Sequence, residues 1–219
     1  MKVFALADLH GSEGALKKMV RSAEMRGADC ILVAGDVAVN DLALARKLLK
    51  LIGSLAKPAF FVPGNMDSPA LATLEEAGGV KCLHGKRGRL GELSVVGVGG
   101  GPSSFLSTPF ELSEIELKRV LEEASSGLES GKFILLSHAP PKNTRLDEAS
   151  SGLHVGSSSI REFVEERGPA LAVSGHIHEA RGVDKVGATL LVNPGPAFRG
   201  YYALLEVERE IKASLSKLP

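Results

Sequence analysis

Cysteine is nearly absent. Cys30 and Cys82 stand alone with no C-x-x-C partner, which argues against a disulfide framework or a thiolate metal site and leaves buried free thiols as the ordinary reading. An excess of either charge is missing too. Lys and Arg number 26 and so do Asp and Glu, so no overall positive field draws the chain onto anionic lipid, and no general nucleic-acid binding is expected. There is no long apolar run: the N-terminal MKVFALADLHG is cut at Asp8, too early for a signal-peptide core or a membrane span, so no membrane contact and a cytoplasmic location are expected. Familiar catalytic loops are missing as well. The stretch 97-GVGGGPSSFLSTPF-110 lacks the Gly-Lys-Ser/Thr of a phosphate-binding loop and places Pro102 where a dinucleotide fingerprint needs its third glycine. No G-x-S-x-G elbow surrounds Ser137, which leaves a serine-hydrolase reading without support. With no repeats and no linker, residues 1–219 read as one domain.

What is present is a chain that is 44% hydrophobic, in which short apolar runs alternate with segments of helical period. Residues 2–7, 30–34, 58–62, 133–137 and 170–174 are continuous in their hydrophobicity, as buried strands are. Residues 12–26 and 40–55 carry apolar side chains at three- and four-residue steps, and Ser68-Pro69 opens a further helix. The second half adds antiparallel strands: a hairpin over 86–100 turning at Gly91-Glu92, and three short strands over 181–206. The Gly- and Pro-rich 97–110 reads as a loop over a site, and the charged segments 113–129 and 207–217 as solvated helix faces and a C-terminal tail.

Polar residues that can bind metal gather where the buried strands end. The first strand runs into Asp8 and His10, the second into Asp36, the third into Asn65, the fourth into His138, and the fifth into His176 and His178. Any one of these alone reads as a turn or cap residue. Five strand ends together, using four of the six histidines, point to the crevice that open α/β sheets place beyond their carboxyl ends. Carboxylate, imidazole and amide oxygen without thiolate suit borderline or harder divalent ions, and seven such groups exceed what one tetrahedral ion uses. Two divalent ions are therefore expected, of Mn, Fe, Zn, Ni or Co, with His176 and His178 alternating across an extended backbone to serve different ions.

The motifs D-x-H at 8–10, G-D at 35–36, G-N-x-D at 64–67, S-H-A-P at 137–140 and G-H-I-H at 175–178, followed by N-P-G at 193–195, together resemble the calcineurin-like metallophosphoesterase superfamily, in its small prokaryotic form. The resemblance implies a four-layer α/β/β/α sandwich with two mixed β-sheets. It also implies one ion held by Asp8, His10 and His178, another by Asn65, His138 and His176, and Asp36 as bridge. The implied activity is hydrolysis of phosphomonoesters or phosphodiesters by attack of a metal-bridging hydroxide, on a phosphorylated small molecule or nucleotide-type substrate. A homo-oligomer is compatible with it.

One position departs from the pattern. Superfamily members usually carry histidine after the motif asparagine, as a candidate acid for the leaving oxygen, whereas this chain has Met66, which cannot donate a proton. A competing reading is therefore a catalytically weak or inactive metal-binding scaffold. Asp36 and His138 are the residues expected to carry catalysis, and His154, in 153-LHVGS-157, is the candidate substitute acid. Asp67 is read as holding its turn through backbone amides in preference to binding metal. Asn193 is a candidate for holding a ligand in place or a plain turn residue, and Arg199 a candidate phosphate contact or an exposed arginine. His84 reads as an exposed turn residue.

Overall fold

The computed structural model describes residues 1–218. The first half runs β1 (Lys2–Leu6), α1 (Glu13–Arg21), α2 (Ala23–Gly27), β2 (Cys30–Ala34), α3 (Leu42–Gly53), β3 (Ala59–Val62), β4 (Glu76–Ala77) and β5 (Val80–Cys82). Next come β6 (Lys86–Leu90), β7 (Leu93–Val98), β8 (Gly101–Pro102), β9 (Glu111–Leu112), α4 (Glu114–Ser125), β10 (Phe133–Ser137) and α5 (Ser158–Arg167). The chain closes with β11 (Leu171–Val173), β12 (Gly182–Val186), β13 (Thr189–Asn193), β14 (Tyr201–Val207) and β15 (Ile211–Lys217).

Two large mixed sheets organise these elements. One has the order β15-β14-β1-β2-β3-β5-β4 and the other β12-β13-β11-β10-β7-β6. In the first, β1, β2 and β3 are parallel, and in the second β7, β10, β11 and β13 are parallel, so each sheet presents several carboxyl ends along one edge. The central strands are apolar throughout because both of their faces are buried. Alternate side chains of β1 show this: Phe4 and Leu6 join a core with Leu16, Met19, Leu48 and Leu49 of α1 and α3, while Val3 and Ala5 join a second core with Leu136, Val173 and Val192 of the other sheet. A third core sets Leu135 and Phe133 of β10 against Leu117, Leu121, Ile160 and Phe163 of α4 and α5. The sheets thus pack on each other and each carries helices on its outer side, and both cysteines are free and buried within these cores.

Several local expectations need correction. The helix expected over 12–26 is broken at Ser22, whose extended backbone ends α1 and whose hydroxyl accepts the Met25 amide to start α2. Ser68-Pro69 opens only a short 3-10 helix, Pro69–Thr73. The charged 207–217 is not a solvated tail, since Ile211–Lys217 forms an edge strand on β14 with its apolar positions at every second residue, Ile211, Ala213 and Leu215, turned toward the intersheet core. His84 is not an exposed turn residue: its Nδ1 accepts the Gly99 amide at 3.0 Å, its ring packs edge-on to Phe110, and burial holds its pKa low. Among the described residues no helix is long and apolar enough to cross a membrane.

α4 and α5 are joined by one carboxylate. Glu114, in the first turn of α4, accepts bonds from the Ser157 hydroxyl and from the Ser158 and Ser159 amides, the free donors at the start of α5. Burial would raise its pKa, but these donors outweigh it and hold the carboxyl below its ordinary 4.5. A depressed carboxyl stabilises the fold above the ordinary pKa and loses that contribution as pH falls through the folded value. Glu114→Gln should therefore cost about 1 kcal/mol near neutrality. Urea melts at pH 7 and near pH 3 should show the gap between variant and wild type shrinking in acid.

Candidate metal centre

The carboxyl ends of β1, β2, β3, β10 and β11 deliver Asp8 and His10, Asp36, Asn65, His138, and His176 and His178 to one place. The backbone bends sharply to do so. Asp8, His10, Asp36 and His176 have φ of 56°, 44°, 51° and 72°, in the left-handed region that side-chain-bearing residues avoid. Such strain concentrated on four of the seven candidate ligands marks a functional cluster. Glycines make the approach possible: a Cβ on Gly35 would enter the His138 ring, and one on Gly64 would collide with the Asp36 carboxylate.

Two groups of side chains converge. Around Asp8, its Oδ1 lies 3.6 Å from His178 Nε2, and His178 Nε2 faces His10 Nε2 at 3.1 Å. Around Asp36, the same Oδ2 lies 3.6 Å from both His10 Nε2 and His138 Nε2, which places this carboxylate between the two groups. His138 donates from Nδ1 to the Ala34 carbonyl at 2.8 Å, so its Nε2 is the free nitrogen, and that atom sits 2.9 Å from Asn65 Oδ1. His176 stacks edge-on against His138, their ring centroids 5.0 Å apart. Between His176 and His178 the backbone is extended at Ile177 alone: His176 is left-handed, and a 3-10 turn begins at His178. The rings still part, His176 toward His138 and His178 toward His10.

The donor set fits divalent cations. Atoms of Asp8, His10 and His178, and of Asp8, Asp36 and His138, lie within 4.8 Å of one another. Among the described residues Asp8 Oδ2 is buried with no hydrogen-bond partner, an acceptor left without a donor. Burial pushes the His176 pKa down to about 3 and lowers that of His10, so both present a lone pair at neutral pH. Burial also disfavours charge on Asp8, yet the neighbouring histidines hold its pKa low, whereas burial next to Asp8 pushes Asp36 up. His138 would be depressed by burial but is held up by Asp36 and Asp8, and His178 is raised mainly by its contact with Asp8. The carboxylates thus draw positive charge into the crevice.

The residues around the cluster hold it in shape. Asp67 accepts the amides of Val37, Ala38 and Gly64, fixing the loop that carries Asp36 and its own turn; burial beside Asp36 pushes its carboxyl up to about 6. Met66 donates its backbone amide to Asp36 Oδ1 at 2.9 Å, a role any residue but proline could fill. Asn193 donates from Nδ2 to the Ile177 carbonyl between the two histidines and accepts the Gly195 amide. Phe198, which the sequence did not single out, packs edge-on to His10 and His178 at 5.6 and 5.4 Å, while its amide bonds to the Asp8 carbonyl. An aromatic two residues past a Pro-Gly-Pro turn carries no signal of such a role. Arg199 is exposed and lies over the Phe198 ring. Ser137 is fully buried and donates to the Ala139 carbonyl, unavailable as a nucleophile. His154 stands apart: its Nδ1 is 2.7 Å from Asp147 Oδ1, and Asp147, another buried residue not singled out, also gathers the amides of Asn143, Thr144 and Gly156.

Comparison with known proteins bears on the family of the chain and on its fold. The calcineurin-like phosphoesterase family profile matches residues 1–180. A protein of Methanocaldococcus jannaschii, the uncharacterized MJ1162, is 33% identical over 204 residues, covering 90% of this chain and 88% of its own. In fold, the chain resembles TT1561 of Thermus thermophilus, with a TM-score of 0.76 at 20% identity and 97% of each chain covered. It also resembles a structure described as a novel archaeal phosphodiesterase, with a TM-score of 0.56 at 15% identity, 99% of this chain and 100% of that one being covered. The chain belongs to the calcineurin-like phosphoesterase family.

Proposed function

We propose that the protein is a dinuclear metal-dependent phosphoesterase, acting on phosphomonoesters or phosphodiesters. The observation that carries this reading is the placement of Asp36 Oδ2 at 3.6 Å from a histidine of each group, beside a buried Asp8 oxygen that has no donor. Asp8, His10 and His178 would hold one ion, Asn65, His138 and His176 the other, and Asp36 would be shared. Bound there, two divalent ions supply an acidified water and neutralise charge that builds on phosphorus. The chain's own residues orient these rings and keep His176 neutral: the Ala34 carbonyl accepts the Nδ1–H of His138 and leaves its Nε2 facing the cluster, while burial holds the His176 pKa low. The neighbour described as a phosphodiesterase favours diesters among the substrates.

Position 66 offers no proton to the leaving oxygen, while its backbone still positions Asp36. His154, whose Nδ1 faces Asp147, would have to act from Nε2 to replace that proton, and the dependence of the rate on leaving-group pKa tests whether it does. The retained set of seven ligand-type residues favours the enzyme over a degenerate scaffold. Hydrolysis of a bis-aryl phosphodiester with Mn²⁺ tests the reading, and His138→Ala should abolish it. Retained hydrolysis in that variant would refute the assignment.

A supporting residue should tune metal affinity without being a ligand. Asn193→Ala frees the Ile177 carbonyl, whose neighbours are His176 and His178, and should weaken metal binding about 10–100-fold. Calorimetric titration with Mn²⁺ measures this directly.

A further inference from the structure

A second, cationic cleft opens next to the metal centre. It has a volume of about 430 Å³ and lies between the start of α1 and the chain's last strand, with Lys18, Arg199 and Lys217 on its walls. No acidic side chain lines it among the described residues, although the chain as a whole is neutral. The nearest acid in sequence, Glu13, is taken up by Lys17 at 2.7 Å and Lys47 at 2.6 Å. Ser12, on the cleft wall, makes no capping bond to its own helix, so its hydroxyl is not committed there.

The cleft communicates with the metal centre through one ring. Phe198 lines it and also packs against His10 and His178, while the Arg199 guanidinium carbon sits 5.4 Å from the centre of that ring. Ser12 follows His10 by two residues, so the same chain segment serves both places. Three cations in a concave site whose described lining carries no acidic side chain form a local positive field. A multiply charged anion suits such a site, because several separate donors can each take a phosphate oxygen.

We propose that this cleft is an anion subsite that binds a second phosphoryl group of the substrate while the first occupies the metal centre. The substrate class it selects is a small phosphoester or nucleotide carrying two phosphates, one on each side of Phe198. The part concerning the first phosphoryl group rests on the phosphoesterase reading; anion binding by the cleft does not.

The test uses the full chain, as purified and after chelation, titrated calorimetrically with inorganic pyrophosphate. Binding to the chelated protein should weaken about tenfold in Lys18→Ala and in Lys217→Ala, the equivalent of about 1.4 kcal/mol, and fall with added salt. Lys118→Ala, which removes an exposed lysine on α4, is the matched control and should leave affinity unchanged. No pyrophosphate binding, or an equal loss from Lys118→Ala, overturns the cleft. In the metal-loaded protein, Lys18→Ala should raise KM for an ester bearing a second phosphate about tenfold more than KM for the same ester without it. Equal changes in the two KM values overturn the substrate role. Pyrophosphate binding that depends on Lys18 in a protein with no turnover would sustain the cleft and refute the phosphoesterase reading instead.

Discussion

Asp36→Asn should lower phosphodiester hydrolysis by on the order of 10³-fold or more while leaving the protein folded. The side chain is nearly isosteric and keeps an oxygen that can accept the Met66 amide, so the loop geometry survives. What disappears is the negative charge lying 3.6 Å from His10 and from His138, the carboxylate oxygen that faces a histidine of both groups. Charge stabilisation by bound ions is worth several kcal/mol, and each ~1.4 kcal/mol is a factor of ten in rate. The same substitution should raise the melting temperature of the chelated protein. Burial next to Asp8 makes the Asp36 carboxyl reluctant to ionise, so the ionised form costs stability at neutral pH, and asparagine removes that cost. Loss of activity with gain of metal-free stability distinguishes a functional carboxylate from a structural one. Turnover within about tenfold of wild type would contradict the shared role assigned to it.

Met66→His should raise turnover of alkyl phosphoesters by about 10²-fold, the lower part of the range that general-acid catalysis supplies, and change turnover of activated aryl esters little. A poor leaving group needs its oxygen protonated as the bond to phosphorus breaks, while an aryl oxide departs as the anion. Wild-type rates should accordingly fall steeply as leaving-group pKa rises, and the variant should flatten that dependence. The substitution changes only the side chain, because the Met66 contribution to the cluster is its backbone amide. A wild-type rate independent of leaving-group pKa would show that another donor already does the work, and His154→Gln, measured on the same series, would then identify or dismiss that histidine.

Much of the fold was legible because β1, β2, β3 and β10 are buried on both faces and therefore read as continuous apolar runs ending in turn residues. The seven candidate ligands were legible for the same reason: each follows such a run within a few residues. Features set by distant parts of the chain were not. β15 alternates apolar and polar residues, but the charged 208–210 that precedes it masked the pattern, and its apolar side only has meaning against the second sheet. The break at Ser22 divides a segment whose apolar spacing continues through it. Phe198 and Asp147 act through contacts made only after the sheets come together, Phe198 on two histidines from opposite ends of the chain and Asp147 on a loop of backbone amides. His84, just past the end of β5, looked like a turn histidine until the 97–110 segment folded over it.

The most direct test of the dinuclear phosphoesterase reading is a metal reconstitution of the chelated protein, following bis-aryl phosphodiester hydrolysis as Mn²⁺ is added. Chelation should abolish hydrolysis, and activity should return with added metal until two ions are bound per chain. Hydrolysis that survives chelation, or its absence with every one of Mn²⁺, Fe²⁺, Zn²⁺, Ni²⁺ and Co²⁺, would contradict that reading.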